Sequence, residues 1–128
     1  MARFLGVEAA LLVHREQIEA FGGAHGLRDR NGLESALGAA GQTYAYTDDL
    51  LEAAAQYCVS LSRNHPFLDG NKRVAAACML IFLDLNAVEL KISSTELFEW
   101  TMEAAIGAID RAQLAARLRS RTKPKRKR

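Results

Sequence analysis

This 128-residue chain has very little that could hold it together other than a hydrophobic core. It has two cysteines, Cys58 and Cys78, without CxxC or other metal-ligand spacing. That excludes a zinc module and a disulfide-stapled scaffold, and both thiols read as small buried hydrophobes within helices. Only two prolines, Pro66 and Pro124, interrupt secondary structure. The longest strongly apolar run, Val74 to Leu83, is about half of what a bilayer span needs, so no membrane partner is expected. No signal peptide precedes the first helix, and a cytoplasmic, reducing setting is expected. With no internal repeat and no linker, the chain reads as a single domain.

Acidic residues are missing from one stretch. Residues 117–128 hold eight of the seventeen Lys and Arg and no Asp or Glu, which leaves residues 1–116 with nine bases against fifteen acids, formally −6. A negative body argues against nucleic acid as the main partner, because phosphate neutralisation needs a basic face on the fold itself. The domain is expected to span residues 1–120, with 121–128 as a disordered basic tail.

Periodicity predicts an all-α chain. Val7, Leu11, His14, Ile18 and Phe21 step by four and three along one helix face that ends at Gly22-Gly23. Asn31 with Glu34 marks a second helix stopping near Gly41, and Asp49 with Glu52 a third running to about Asn64. From about Asn71, the run Val74 to Leu85 is apolar on nearly every side, which predicts the central, buried helix of a compact bundle. Val88 to Ile92 alternates as an extended segment. Ser93 with Glu96 and Asp110 with Gln113 then open two more helices, 94–107 and 110–120.

Between the third and fourth helices lies His65-Pro-Phe-Leu-Asp-Gly-Asn-Lys-Arg73. Pro66 forces an extended or turning backbone on His65. Gly70-Asn71 stands immediately before the buried helix, where free N–H groups and the helix dipole make an anion site. Lys72 and Arg73 are cations in a first helical turn, where the dipole disfavours them. Their cost to the helix implies that an anion is expected there. Asp69 beside a phosphate is the usual way to hold Mg²⁺. His65 can accept a proton from an attacking hydroxyl at neutral pH. Phe67 reads as the anchor of the loop in the core.

The loop also resembles the signature of Fic/Doc proteins, HxFx[DE]GNGR in Fic enzymes and HxFx[ND][AG]NKR in the death-on-curing (Doc) branch, and Lys72 places the chain with Doc. Residues 21–37, FGGAHGLRDRNGLESAL, are similar to the segment after the first helix of Doc chains, and the resemblance covers about residues 5–110. It implies a compact helical bundle of the Fic/Doc type, with ATP and Mg²⁺ as cofactors. His65 would be the base, Asp69 the Mg²⁺ ligand, Gly70 and Asn71 the phosphate-binding turn, and Lys72 and Arg73 phosphate contacts. Arg63, matching an Arg often present in Doc chains, would join the nucleotide site. The implied function is that of a type II toxin, a protein kinase that phosphorylates a threonine of elongation factor Tu, inhibits translation and is itself restrained by a cognate antitoxin.

Ala76 stands where the longer Fic signature has a second Arg, Val74 where Doc chains often have Thr, and Ala77 where some have Asn. No [ST]xxxE[GN] inhibitory segment is present. The nearest match, Thr95 to Glu99, is followed by Trp100, so restraint is expected from another chain. Two other readings stay open: AMP transfer to a protein hydroxyl, as in Fic adenylyltransferases, and a non-catalytic toxin-like binding module.

Overall fold

A computed structural model describes residues 1–124 of the protein. Six helices follow one another: α1 (Val7–Phe21), α2 (Arg30–Thr47), α3 (Leu50–Asn64), α4 (Asn71–Leu85), α5 (Ser94–Ala105) and α6 (Arg111–Arg119). Two three-residue strands, β1 (Val88–Leu90) and β2 (Thr122–Pro124), pair antiparallel with Leu90 opposite Thr122. The all-α reading holds, and no helix among the described residues is long and apolar enough to cross a membrane.

Local signals account for most helix starts. Ser93 with Glu96 and Asp110 with Gln113 both form complete capping boxes, and Asp49 caps α3 through the Leu51 N–H at 2.9 Å. At α2 the start differs from expectation: Asp29, not Asn31, is the cap, accepting from the Gly32 N–H at 2.9 Å. The helix also runs on past Gly41 to Thr47 and ends at Asp48 in the left-handed region. A helical glycine costs only about 0.5–1 kcal/mol, and burying Ala40 and Thr43 carries the helix through it.

The helix at the centre is α3, with ten of its fifteen residues buried and α2, α4, α5 and α6 packed around it. This corrects the assignment of that place to Val74–Leu85. α4 buries Val74, Ala75, Cys78, Met79, Phe82 and Leu83, but Ile81 and Leu85 are exposed and Ala76, Ala77 and Leu80 line a cavity. The surplus apolar face of α4 is thus turned to an open groove. Tyr57 on α3 ties down the N-terminal segment, its hydroxyl accepting from the Leu5 N–H at 2.8 Å, and burial pushes its pKa up to about 12. Cys58 and Cys78 are buried, as expected, and burial raises each thiol to about 12.

The C-terminal segment departs from the expected tail. Arg121 makes two 2.6 Å hydrogen bonds to the Glu96 carboxylate and lies over the Trp100 ring, while Thr122–Pro124 forms β2. These residues pair with β1 and with an acid of the body. The rest of the expected tail, 125–128, lies outside the described residues.

Candidate active site

The loop joining α3 to α4 is held by three sets of bonds. His65 caps α3 at φ 50°, ψ 54°, the turning one of the two backbones that Pro66 left open, in the left-handed region that few non-glycine residues adopt. Arg28 secures that turn, its Nη2 donating to the carbonyls of His65 and, at 3.3 Å, of Asn64. The backbone N–H groups of Arg28 and Asp29 donate to the Pro66 carbonyl at 2.8 and 2.9 Å, and the Leu68 N–H to the Gly26 carbonyl at 3.0 Å. The segment after α1 therefore lies against the loop as a short antiparallel bridge, Leu27 opposite Phe67.

Phe67 is 2% exposed and anchors the loop in the core, stacked on the buried ring of His14. Asn71, the first residue of α4, does not present its amide oxygen to the cavity. That oxygen accepts from the Phe67 N–H at 2.9 Å and its Nδ2 donates back to the Phe67 carbonyl at 3.0 Å. Gly70 is the N-cap of α4, left-handed at φ 77° and without a capping side chain. The first-turn N–H groups of α4 consequently lack a side-chain acceptor, the usual condition for anion binding at a helix N-terminus.

Asp69 and Arg73 stand beside α1. The Asp69 carboxylate accepts from the Ala24 N–H at 3.1 Å and from the Gly70 N–H at 2.8 Å. The Ala24 bond, then the Gly70 bond and the nearby charge of Arg73, hold this carboxyl below the usual carboxylate range. Arg73 donates to the Gln17 carbonyl at 3.3 Å. Gly23 leaves room for both, since a Cβ there would lie 2.7 Å from Asp69 Oδ2 and 3.1 Å from Arg73 Nη2.

His65, Asp69, Gly70, Asn71, Lys72 and Arg73 line one open cavity of about 360 Å³, joined by Leu68 and, from α5, Phe98. A second cavity of about 480 Å³, mostly apolar, shares Lys72, Arg73 and Phe98 with it and runs between α1, α4 and α5. The structure does not bring Arg63 to this place. One turn before the loop, it points toward the α5–α6 connection, donating to the carbonyls of Ala104 at 2.9 Å and Ile109 at 3.1 Å. Those two bonds occupy its guanidinium in holding α5 and the α5–α6 connection to α3.

Three supporting residues escaped the sequence reading: Arg28, Ala24 and His14. Arg28 and Ala24 fall in the 21–37 segment, whose likeness to Doc chains was the one available signal. His14 looked like a core position of α1.

Among the described residues no group of three His, Cys, Asp or Glu could hold a metal ion by itself. One exposed, ionised carboxylate beside an anion-binding turn fits Mg²⁺ nonetheless, because Mg²⁺ takes one or two carboxylates and completes its shell with water and substrate phosphates.

Residues 4–83 match the Fic/DOC family. The chain is 35% identical over 119 residues to the protein kinase doc of Escherichia phage P1, covering 91% of this chain and 94% of that protein. It is 43% identical over 75 residues to the toxin Doc of Mycolicibacterium smegmatis, covering 56% and 57% of the two.

Proposed function

This chain belongs to the Fic/DOC family, and from that premise we propose that it is a toxin enzyme, a Mg²⁺- and ATP-dependent protein kinase restrained by an antitoxin. Relatives named protein kinase doc and toxin Doc support the reading. The proposed substrate is a threonine of elongation factor Tu, its phosphorylation stopping translation in the cytoplasm.

The observation that carries the kinase reading is Lys72. It follows Asn71 at the place where the Fic pattern has Gly, and it lines the cavity with His65 and Asp69. A glycine there leaves room for the phosphate chain to lie along the turn with its α-phosphate facing the attacking hydroxyl. A lysine fills that room and adds a charge, so the nucleotide lies the other way round with its γ-phosphate toward His65. Ala76 agrees, since the second Arg of the adenylylating pattern is missing.

In this mechanism His65 removes the proton from the threonine hydroxyl as its oxygen attacks the γ-phosphorus. The bond from the γ-phosphorus to the bridging oxygen breaks, and ADP leaves with that electron pair. The α4 N–H groups, Lys72 and Arg73 hold the phosphate oxygens in place and stabilise the charge that shifts among them. Mg²⁺, held by Asp69 when bound, supplies charge neutralisation on those oxygens.

Incubating the protein with Mg²⁺ and either γ-³²P-ATP or α-³²P-ATP in a cell extract tests this. Label is expected on one protein, which mass spectrometry should identify as elongation factor Tu, from the γ-labelled nucleotide alone. Transfer of α-label would replace the kinase reading with adenylyl transfer.

A further inference from the structure

Asp69 is exposed and sits in a loop, so its carboxylate would range widely unless the backbone beneath it were tied down. Two ties act on the carboxylate itself, from Ala24 and Gly70. The third acts on the main chain and comes from the middle of α1. His14 is 4% exposed, and its ring lies 3.9 Å from that of Phe67 with the planes only 5° apart. Its Nε2 is 2.9 Å from the Asp69 carbonyl oxygen.

A carbonyl oxygen only accepts, so Nε2 carries the proton. The stack fixes the plane of the imidazole, and that plane aims the N–H at Asp69. A residue that only filled this space could be a phenylalanine, which would stack equally well without burying a polar edge. The polar edge is directed at the one loop residue whose carboxylate faces the anion turn.

The geometry points to His14 as a positioning residue that holds Asp69 in register with the α4 N-terminus, its ring locked by Phe67 and its Nε2–H fixing the Asp69 carbonyl. The inference rests on the role proposed above for Asp69.

Two variants separate donor from filler. His14→Phe keeps the stack and loses the N–H. His14→Gln puts an amide N–H near the old Nε2 position and loses the stack. Amide exchange of residues 68–71 should rise about tenfold or more in His14→Phe at nearly unchanged Tm. The Mg²⁺ concentration for half-maximal transfer should rise about 10–100-fold, with KM for the protein substrate unchanged. His14→Gln should recover most of both despite a lower Tm. The opposite order, a wild-type-like Phe variant and a Gln variant impaired in step with its Tm, overturns the inference. So does a folded Gln variant in which residues 68–71 are loosened. Should the wild-type protein transfer neither phosphate nor nucleotide, the functional reading fails, while exchange at 68–71 still decides the role of His14.

Discussion

Asn71 and Phe67 hold each other by a reciprocal pair: the Asn71 amide oxygen accepts from the Phe67 N–H at 2.9 Å, and its nitrogen donates to the Phe67 carbonyl at 3.0 Å. The side chain that opens α4 thereby closes the loop before it, so the anion turn and the core anchor move as one piece. Asn71→Ala strips both partners from a part-buried peptide group and should cost about 1–3 kcal/mol in urea or thermal unfolding. Asn71→Asp keeps the acceptor and suits the α4 dipole, so it should retain more stability than Ala. Its negative charge at the turn should nevertheless suppress transfer. Equal activity of Asn71→Asp and wild type would argue against phosphate at this turn.

His65 combines an unfavourable backbone with an exposed ring. His65→Ala should fold and lose about 10²–10⁴-fold in transfer rate. His65→Gly should lose as much activity while being more stable than His65→Ala, by about 1 kcal/mol or less, because glycine enters the left-handed region freely. Full toxicity of His65→Ala at equal expression would remove His65 from the role of base.

The lowered pKa of Asp69 implies a pH-dependent contribution to loop stability. A carboxyl whose folded pKa lies below its unfolded value, about 3.9, adds stability that is complete above that value. That stability is lost as the pH falls through the folded pKa. Asp69→Asn should therefore melt below wild type at pH 7, and the gap should close below about pH 4. A gap that stays constant from pH 7 to pH 3 would mean that the carboxylate charge adds nothing to folding.

Truncation after Ser120 removes β2 and the Arg121–Glu96 pair. A disordered tail would leave Tm unchanged. The structure instead leads us to expect a lower Tm, since both the β1–β2 pairing and the ion pair are lost. Transfer at 25 °C should persist, because no residue beyond Ser120 lines the His65–Arg73 cavity among the described residues. An unchanged Tm would mean that β2 and the ion pair contribute nothing to stability.

By itself the sequence determined whatever is settled within a few residues. The Ser93–Glu96 and Asp110–Gln113 boxes close within one turn, and Gly70 opens α4 because the chain must turn there. The cavity-lining set from His65 to Arg73 was legible because a loop of nine residues cannot spread its side chains far. Tertiary structure decided what depends on a distant partner. Glu52 left its predicted box to pair with Arg111 at 2.8 Å, Arg63 turned to carbonyls of α5 and of the α5–α6 connection, and Arg121 joined Glu96. α3 became the central helix because four helices pack on it, although α4 is the more apolar by sequence. His14 gained its polar task only when Phe67 and Asp69, more than fifty residues on, came to lie against α1. Capping and turning are short-range and leave their residues side by side in the chain, whereas burial and long-range pairing depend on which elements meet in space.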